Sequence, residues 1–299
     1  MRIAWAGTAR FSVLVLSRVA DSPHEIVACL TTPDRPRGRH GAPQPSVLKE
    51  AARGRGLPVL QPDDLRAPEN VAALLAFGPD VLVASAYGRI VPPEIFTAVP
   101  SLVVHPSLVP HWRGAAPVVR ALMAGETRLG VTTLEMGGGI DDGPVADERV
   151  VTVPPDADAG AAYALLAGPA ADSLLATLSA MADGSAVFRP QIGAADYAAK
   201  ITEADRVIDW RWPADAVADQ VRALAPEVGA HTELGGRRVL VWRAVPRRSL
   251  PAGDESRDRL VVPCGRGYLE IVELQEAGRR RMIAQEYLRG AGRRLVQGG

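Results

Sequence analysis

The spacing of apolar and polar positions gives the chain two textures. In the first part, residues 2–6, 25–31, 81–86 and 102–104 are short apolar runs of the kind buried on both faces of a parallel sheet. Between them, residues 11–19, 46–53, 68–77 and 115–123 carry helical spacing, with Ser46 placed to cap the second of these stretches. Further strands are expected at 131–136 and 148–153, and a long Ala- and Leu-rich helical pattern fills 159–182. Alternation of this sort predicts an α/β fold, Rossmann-like, with a mainly parallel sheet. From residue 201 the pattern turns to short strands parted by Gly and Pro, at 239–243, 260–262 and 268–274, which predicts a smaller β-barrel domain. We therefore expect a first domain over residues 1–185, a link over 186–206 and a second domain over 207–299.

Two apolar runs end in chemistry. Leu102-Val103-Val104 leads to His105 at the head of a loop rich in Pro and Gly, and the run at 131–136 leads towards Asp141 in Gly139-Ile140-Asp141-Asp142-Gly143. If both loops lie at the carboxyl edge of the sheet, where α/β folds keep their sites, the imidazole and the carboxylate form a proton-handling pair. On these residues alone a structural loop histidine and an ordinary Asp-Asp-Gly turn are the commoner readings. A nicotinamide site is disfavoured, because Ala6-Gly7-Thr8-Ala9-Arg10-Phe11 offers one glycine where the dinucleotide fingerprint needs three.

Charge narrows the partners. With 34 basic and 34 acidic residues in 299 the formal net charge is zero, so affinity for nucleic acid has to come from local patches. Candidates are the loop 32–43, with Arg35, Arg37 and Arg39, and the pairs or runs at Arg237-Arg238, Arg247-Arg248, Arg279-Arg280-Arg281 and Arg293-Arg294. Arginines on a small barrel serve equally well as solvated guards of strand edges. The only cysteines, Cys29 and Cys264, have no metal-ligand spacing, and no run reaches the length of a membrane span. The expectation is a metal-free cytoplasmic protein with no membrane partner.

Read as one string, His105-Pro106-Ser107-Leu108-Val109-Pro110-His111-Trp112-Arg113-Gly114-Ala115-Ala116-Pro117, followed by Gly139-Ile140-Asp141-Asp142-Gly143, resembles the signature of the folate-dependent formyltransferases, the methionyl-tRNA formyltransferases most of all. The likeness extends to Gly7, Thr8 and Phe11, to Pro33-Asp34-Arg35-Pro36, and to Tyr87-Gly88-Arg89-Ile90-Val91-Pro92. It continues through Ile208-Asp209-Trp210, Val221-Arg222-Ala223-Leu224 and Leu288-Arg289-Gly290. It implies a formyltransferase domain followed by an OB-like barrel, with 10-formyltetrahydrofolate as co-substrate and no metal. It also implies that His105 and Asp141 act on the formyl group. Tyr87, Gly88, Arg89 and Ile90, with Gly139 and Ile140, would lie beside the folate, and Arg39, Ser107, Arg113 and Gly114 would face the acceptor.

The departures from that pattern are as telling. The family usually carries an Asn two residues before the His, where this chain has Val103. One oxyanion donor of that kind is worth on the order of 10²–10³ in rate. His40, Gly41 and Ala42 stand where lysines usually follow Arg39, Gly137 and Pro144 stand at customarily acidic positions, and Ala225-Pro226-Glu227-Val228-Gly229 replaces an Asn-Pro-aromatic-Pro-Gly segment. Three functions are compatible with this. The first is formyl transfer to methionyl-tRNA or, with the basic loop weakened, to a small biosynthetic amine. The second is a repurposed enzyme of the same fold that hydrolyses formyl-folate or performs a biosynthetic rearrangement. The third is a non-catalytic folate- or RNA-binding relative.

Overall fold

The computed structural model describes residues 1–36, 41–250 and 259–290, which fall into two compact units. The first comprises residues 1–117, 128–152 and 163–198, and the second residues 118–127, 153–162 and 199 onward.

In chain order the elements begin with β1 (Arg2–Gly7), α1 (Arg10–Ala20), β2 (Glu25–Leu30), the short strands β3 (Arg35–Pro36) and β4 (Pro43–Gln44), α2 (Val47–Gly54), β5 (Val59–Leu60) and α3 (Pro68–Leu75). Then come β6 (Val81–Ser85), α4 (Pro93–Phe96), β7 (Ser101–His105), β8 (Arg113–Gly114), α5 (Pro117–Met123), β9 (Arg128–Glu135), β10 (Val145–Thr152), α6 (Ala159–Ala182) and β11 (Tyr197–Ala198). The remaining elements are α7 (Ala214–Leu224), β12 (Ala230–Leu234), β13 (Arg237–Arg247), β14 (Leu260–Pro263), β15 (Tyr268–Glu276), β16 (Met282–Ile283) and α8 (Ala284–Arg289).

The first unit is built on a seven-stranded sheet in the order β10-β9-β7-β6-β1-β2-β5. The five strands from β7 to β5 pair in parallel, and the apolar runs of β1, β2 and β6 are buried on both faces, as the sequence predicts. Helix α1 presents Phe11, Val15, Leu16 and Val19 inward, and Ser46 accepts the Lys49 N–H at 3.0 Å to cap α2, a contact worth about 1 kcal/mol. Helix α6 has the length and composition of a membrane span, yet Leu166, Leu174 and Leu178 are wholly buried and Ser173 shares a 2.7 Å hydrogen bond with Thr133 of β9, so it covers the sheet.

Strand β9 departs from the expected parallel arrangement. It runs antiparallel to β7, with His105 opposite Thr132 and Leu102 opposite Glu135. Its end therefore lies towards the amino end of β7, three residues and so on the order of 10 Å short of His105. The loop between β9 and β10 has to double back to bring Asp141 to the histidine.

The second unit holds a curled five-stranded antiparallel sheet, with β12-β13-β15-β14 in order and β16 on β15, in keeping with the small barrel expected. Irregular register around Val241 and Arg243 lets the long β13 bend while it pairs with both β12 and β15. Helix α7 is an addition to the all-strand pattern read from the sequence. Its Val217, Val221 and Leu224 recur at helical spacing and join Val239, Val241, Leu269 and Leu274 in this unit's core.

Candidate active site

His105 closes β7, and its side chain shares a sheet face with Val103, two residues earlier. Val103 pairs with Ala84, whose side chain lies in the cluster formed by Tyr87, Val91 and Ile95. The face that carries His105 is thus the one covered by α3 and α4, and Val103 lines it half-buried, with no polar atom to offer.

His105 is 5% exposed, and its imidazole lies between two oxygen acceptors. Its Nε2 is 2.9 Å from the Trp112 carbonyl, which can only accept, so this contact is made by an Nε2–H. Its Nδ1 is 3.4 Å from Asp141 Oδ2, long for a hydrogen bond and within ion-pair reach. The same Oδ2 accepts the Gly114 N–H at 2.8 Å, so the carboxylate is fixed by the loop that follows the histidine. Asp141 adopts a left-handed backbone with φ of 49°, a conformation that Asp tolerates better than most residues but at a cost.

Three glycines make the returning loop possible through close approach. A Cβ on Gly143 would stand 1.9 Å from the Glu135 carbonyl oxygen, so the chain could not turn back there with any side chain. A Cβ on Gly139 would stand 2.2 Å from Asp142 Oδ2, because the Asp142 carboxylate folds back and accepts the Gly139 N–H at 3.2 Å. A Cβ on Gly137 would stand 2.7 Å from the same carboxylate. Close approach of the Asp142 side chain accounts for Gly137 and Gly139, and close approach of the Glu135 carbonyl for Gly143.

A third segment completes the site. Gln191 donates its Nε2 hydrogens to the carbonyls of Asp141 and Gly143, both at 2.8 Å, and its Oε1 accepts from Arg113 Nη2 at 2.7 Å and Nε at 3.1 Å. Asp196 accepts the Trp112 N–H and meets His111 Nδ1 at 2.9 Å. Burial works against the charge on Asp196, and the His111 and Trp112 contacts outweigh it, holding the carboxyl below its usual range. Strand β11 then pairs with β8, closing residues 189–198 over both loops. Neither Gln191 nor Asp196 was singled out by the sequence, since both stand in an irregular stretch with no periodicity.

The other expected site residues divide by what their side chains touch. The guanidinium of Arg89 is taken up by the Pro62 and Asp63 carbonyls at 2.7 and 2.9 Å, and Tyr87 is buried in the α3–α4 cluster. That burial pushes the Tyr87 phenol up, with Arg89 working the other way. The backbone of this segment is what it presents: the Tyr87 carbonyl accepts from the Thr8 hydroxyl, and Gly88 is left-handed at φ 73°. Ile90 and Ile140, on the two loops, are 74% and 61% exposed. The Ser107 hydroxyl is donated to the His111 carbonyl at 2.7 Å and serves the loop itself, as does Arg113 through Gln191. Arg39 lies outside the described residues. Among the described residues no group of His, Cys, Asp and Glu has metal-binding geometry.

Most arginines in the runs of the second unit meet acids, several of them sharing one. Arg237 and Arg279 meet Glu276 at 3.0 and 3.7 Å, Arg281 meets Glu273 at 2.6 Å, and Arg247 and Arg259 meet Glu270 at 2.7 and 3.1 Å. Arg238 and Arg206 meet Glu203 at 2.5 and 2.7 Å, and Arg280 pairs with Glu286. Arg293 and Arg294 lie outside the described residues.

Comparison with known proteins supplies a family. Residues 1–178 match the family described as formyl transferase, and residues 200–292 match the formyl transferase C-terminal domain. The chain is 39% identical over 303 residues to the methionyl-tRNA formyltransferase of Symbiobacterium thermophilum, covering 98% of this chain and 93% of that one. In fold it is similar to HypX from Aquifex aeolicus in complex with tetrahydrofolic acid, with a TM-score of 0.67 and 21% identity over 96% of this chain and 47% of that one. It is also similar to an N-formyltransferase from Helicobacter canadensis in complex with folinic acid and dTDP-3-aminofucose, with a TM-score of 0.66 and 14% identity over 92% and 98% of the two chains.

Proposed function

The chain belongs to the formyl transferase family, and we propose that it transfers the formyl group of 10-formyltetrahydrofolate to the α-amine of methionyl-tRNA in the cytoplasm. The His105–Asp141 contact carries the reading, and likeness to a methionyl-tRNA formyltransferase along nearly the whole length supports the acceptor. In this reaction the amine attacks the formyl carbon, a tetrahedral oxyanion forms, and the carbon–N10 bond breaks to release tetrahydrofolate. One proton leaves the amine and one is gained by N10. His105 handles that proton, exchanging one of its two present contacts for the substrate, while Asp141 holds the ring. The exposed backbone around Gly88 and the apolar faces of Ile90 and Ile140 suit a flat pterin ring. Val103 supplies no donor for the formyl oxygen, and the Nε2–H of His105, released from the Trp112 carbonyl, is a group able to meet the developing charge.

A small amine is the second reading, favoured by one observation: the arginines of the curled sheet that would meet tRNA phosphates are paired with Glu203, Glu270, Glu273 and Glu276. Single-turnover release of tetrahydrofolate, with and without methionyl-tRNA, separates the two. We expect release that depends on methionyl-tRNA and falls by about 10³-fold or more in His105→Ala, the range of a removed acid–base group together with its oxyanion contact. Release that ignores methionyl-tRNA but responds to an amino sugar would favour the small amine. No release in either case would sink formyl transfer.

A further inference from the structure

We propose that Gln191 is a positioning residue for the His105–Asp141 pair. The left-handed Asp141 is not held by its own sheet, since β9 ends well short of His105 and the loop has to return unsupported by strand pairing. Both hydrogens of the Gln191 amide are spent on this return, one on the Asp141 carbonyl and one on that of Gly143. The amide oxygen is spent on the other loop, through the fork of Arg113. Arg113 is followed directly by Gly114, whose N–H holds Asp141 Oδ2. One side chain therefore fixes the Asp141 backbone and, through Arg113, the group that aims its carboxylate. Without it the left-handed turn loses both carbonyl partners, and relaxation of the turn carries the carboxylate away from Nδ1. Gln191 touches no reacting atom in this scheme and acts through Asp141.

The inference rests on the formyl-transfer reading for its rates but not for its geometry, so the test uses two readouts on the full-length protein. Single-turnover tetrahydrofolate release is measured for Gln191→Ala, Gln191→Glu, Asp141→Asn and the double variant Gln191→Ala with Asp141→Asn. Ring nitrogen signals of His105 are followed in ¹⁵N-histidine-labelled protein, and thermal melting reports folding. Gln191→Ala is expected to slow release by up to about 10²-fold, the cost of misplacing a reacting group by an ångström. In the Asp141→Asn background the same change is expected to cost less than about twofold, because a residue acting only through Asp141 has nothing left to lose. Gln191→Glu keeps an acceptor for Arg113 but cannot donate to the two carbonyls, so it is expected to fail as Gln191→Ala does and stands in for it should the alanine variant not fold. The His105 ring signals are expected to move in the Gln191 variants as they do in Asp141→Asn. Equal losses in both backgrounds, full activity in Gln191→Glu, or unmoved His105 signals would each overturn the proposal. A wild-type protein that releases no tetrahydrofolate would sink the formyl-transfer reading, and the ring signals would still decide the positioning.

Discussion

The two loops around His105 and the arginine-rich curled sheet are both dense in polar side chains, and they spend them differently. Around His105, Asp141, Gln191 and Asp196 direct their polar atoms largely at backbone groups, fixing a left-handed turn and the loop after β7. On the curled sheet, Arg237, Arg238, Arg247 and Arg281 direct theirs at carboxylates, which offset part of the positive charge. The first arrangement holds a geometry that the chain would not otherwise keep; the second lowers a surface potential. A site built to do chemistry is thus distinguished here by side chains that hold the main chain.

The contrast sharpens most at Val103, an apolar side chain two residues before His105 on the same face of β7, at the position where the family resemblance implies an amide. Val103→Asn is expected to raise the single-turnover rate by about 10-fold to 10²-fold, somewhat below the full worth of an oxyanion donor, because the pocket is shaped around a valine. A drop in rate would mean that the site has been rebuilt around the apolar side chain for another reaction.

A smaller effect is expected on the curled sheet. Glu203→Gln removes the counter-charge of Arg206 and Arg238 at an exposed position. If tRNA lies on this face, affinity should rise at low salt and the slope of log K against log salt should steepen by about 1, as for one further phosphate contact. An unchanged slope would place the acceptor elsewhere and favour a small amine.

The smallest effect concerns stability. Arg120 and Thr202 hold Asp205, within the second unit, well below the usual carboxylate range, chiefly through the Arg120 hydrogen bond and against some burial. Since the folded state prefers the ionised form, its contribution is present above the ordinary Asp value of about 3.9 and is lost as pH falls towards the lowered folded value. Asp205→Asn should therefore lower the melting temperature at neutral pH and narrow the gap to wild type below about pH 3, read by thermal melts across pH.

Much of this was legible in the chain. The apolar runs of β1, β2 and β6 announce themselves because parallel strands are buried on both faces, and Ser46 marks its helix because capping is local. His105 and Asp141 were legible as a pair through their motif. How they meet was not: the antiparallel course of β9 depends on pairing with a strand some thirty residues earlier, and nothing within 128–135 distinguishes it from a parallel strand. Gln191 and Asp196 were illegible for a related reason. Their partners lie 48 to 85 residues away, and a polar side chain that bonds to main chain leaves no periodic trace. Helix α7 was masked by its own composition, with Asp215, Asp219 and Gln220 interleaved among its few large apolar residues.

The folded-back Asp142 has a consequence for how this loop can change over generations. While its carboxylate occupies the space above Gly137 and Gly139, a side chain at either position has to displace it, and with it the hydrogen bond to the Gly139 N–H, so each such substitution carries a cost set by residue 142. Shortening Asp142 first to alanine or glycine opens both. Drift in this loop is therefore coupled: the residue at position 142 sets what a side chain at 137 or 139 costs, and a change there alters the terms for both glycines at once.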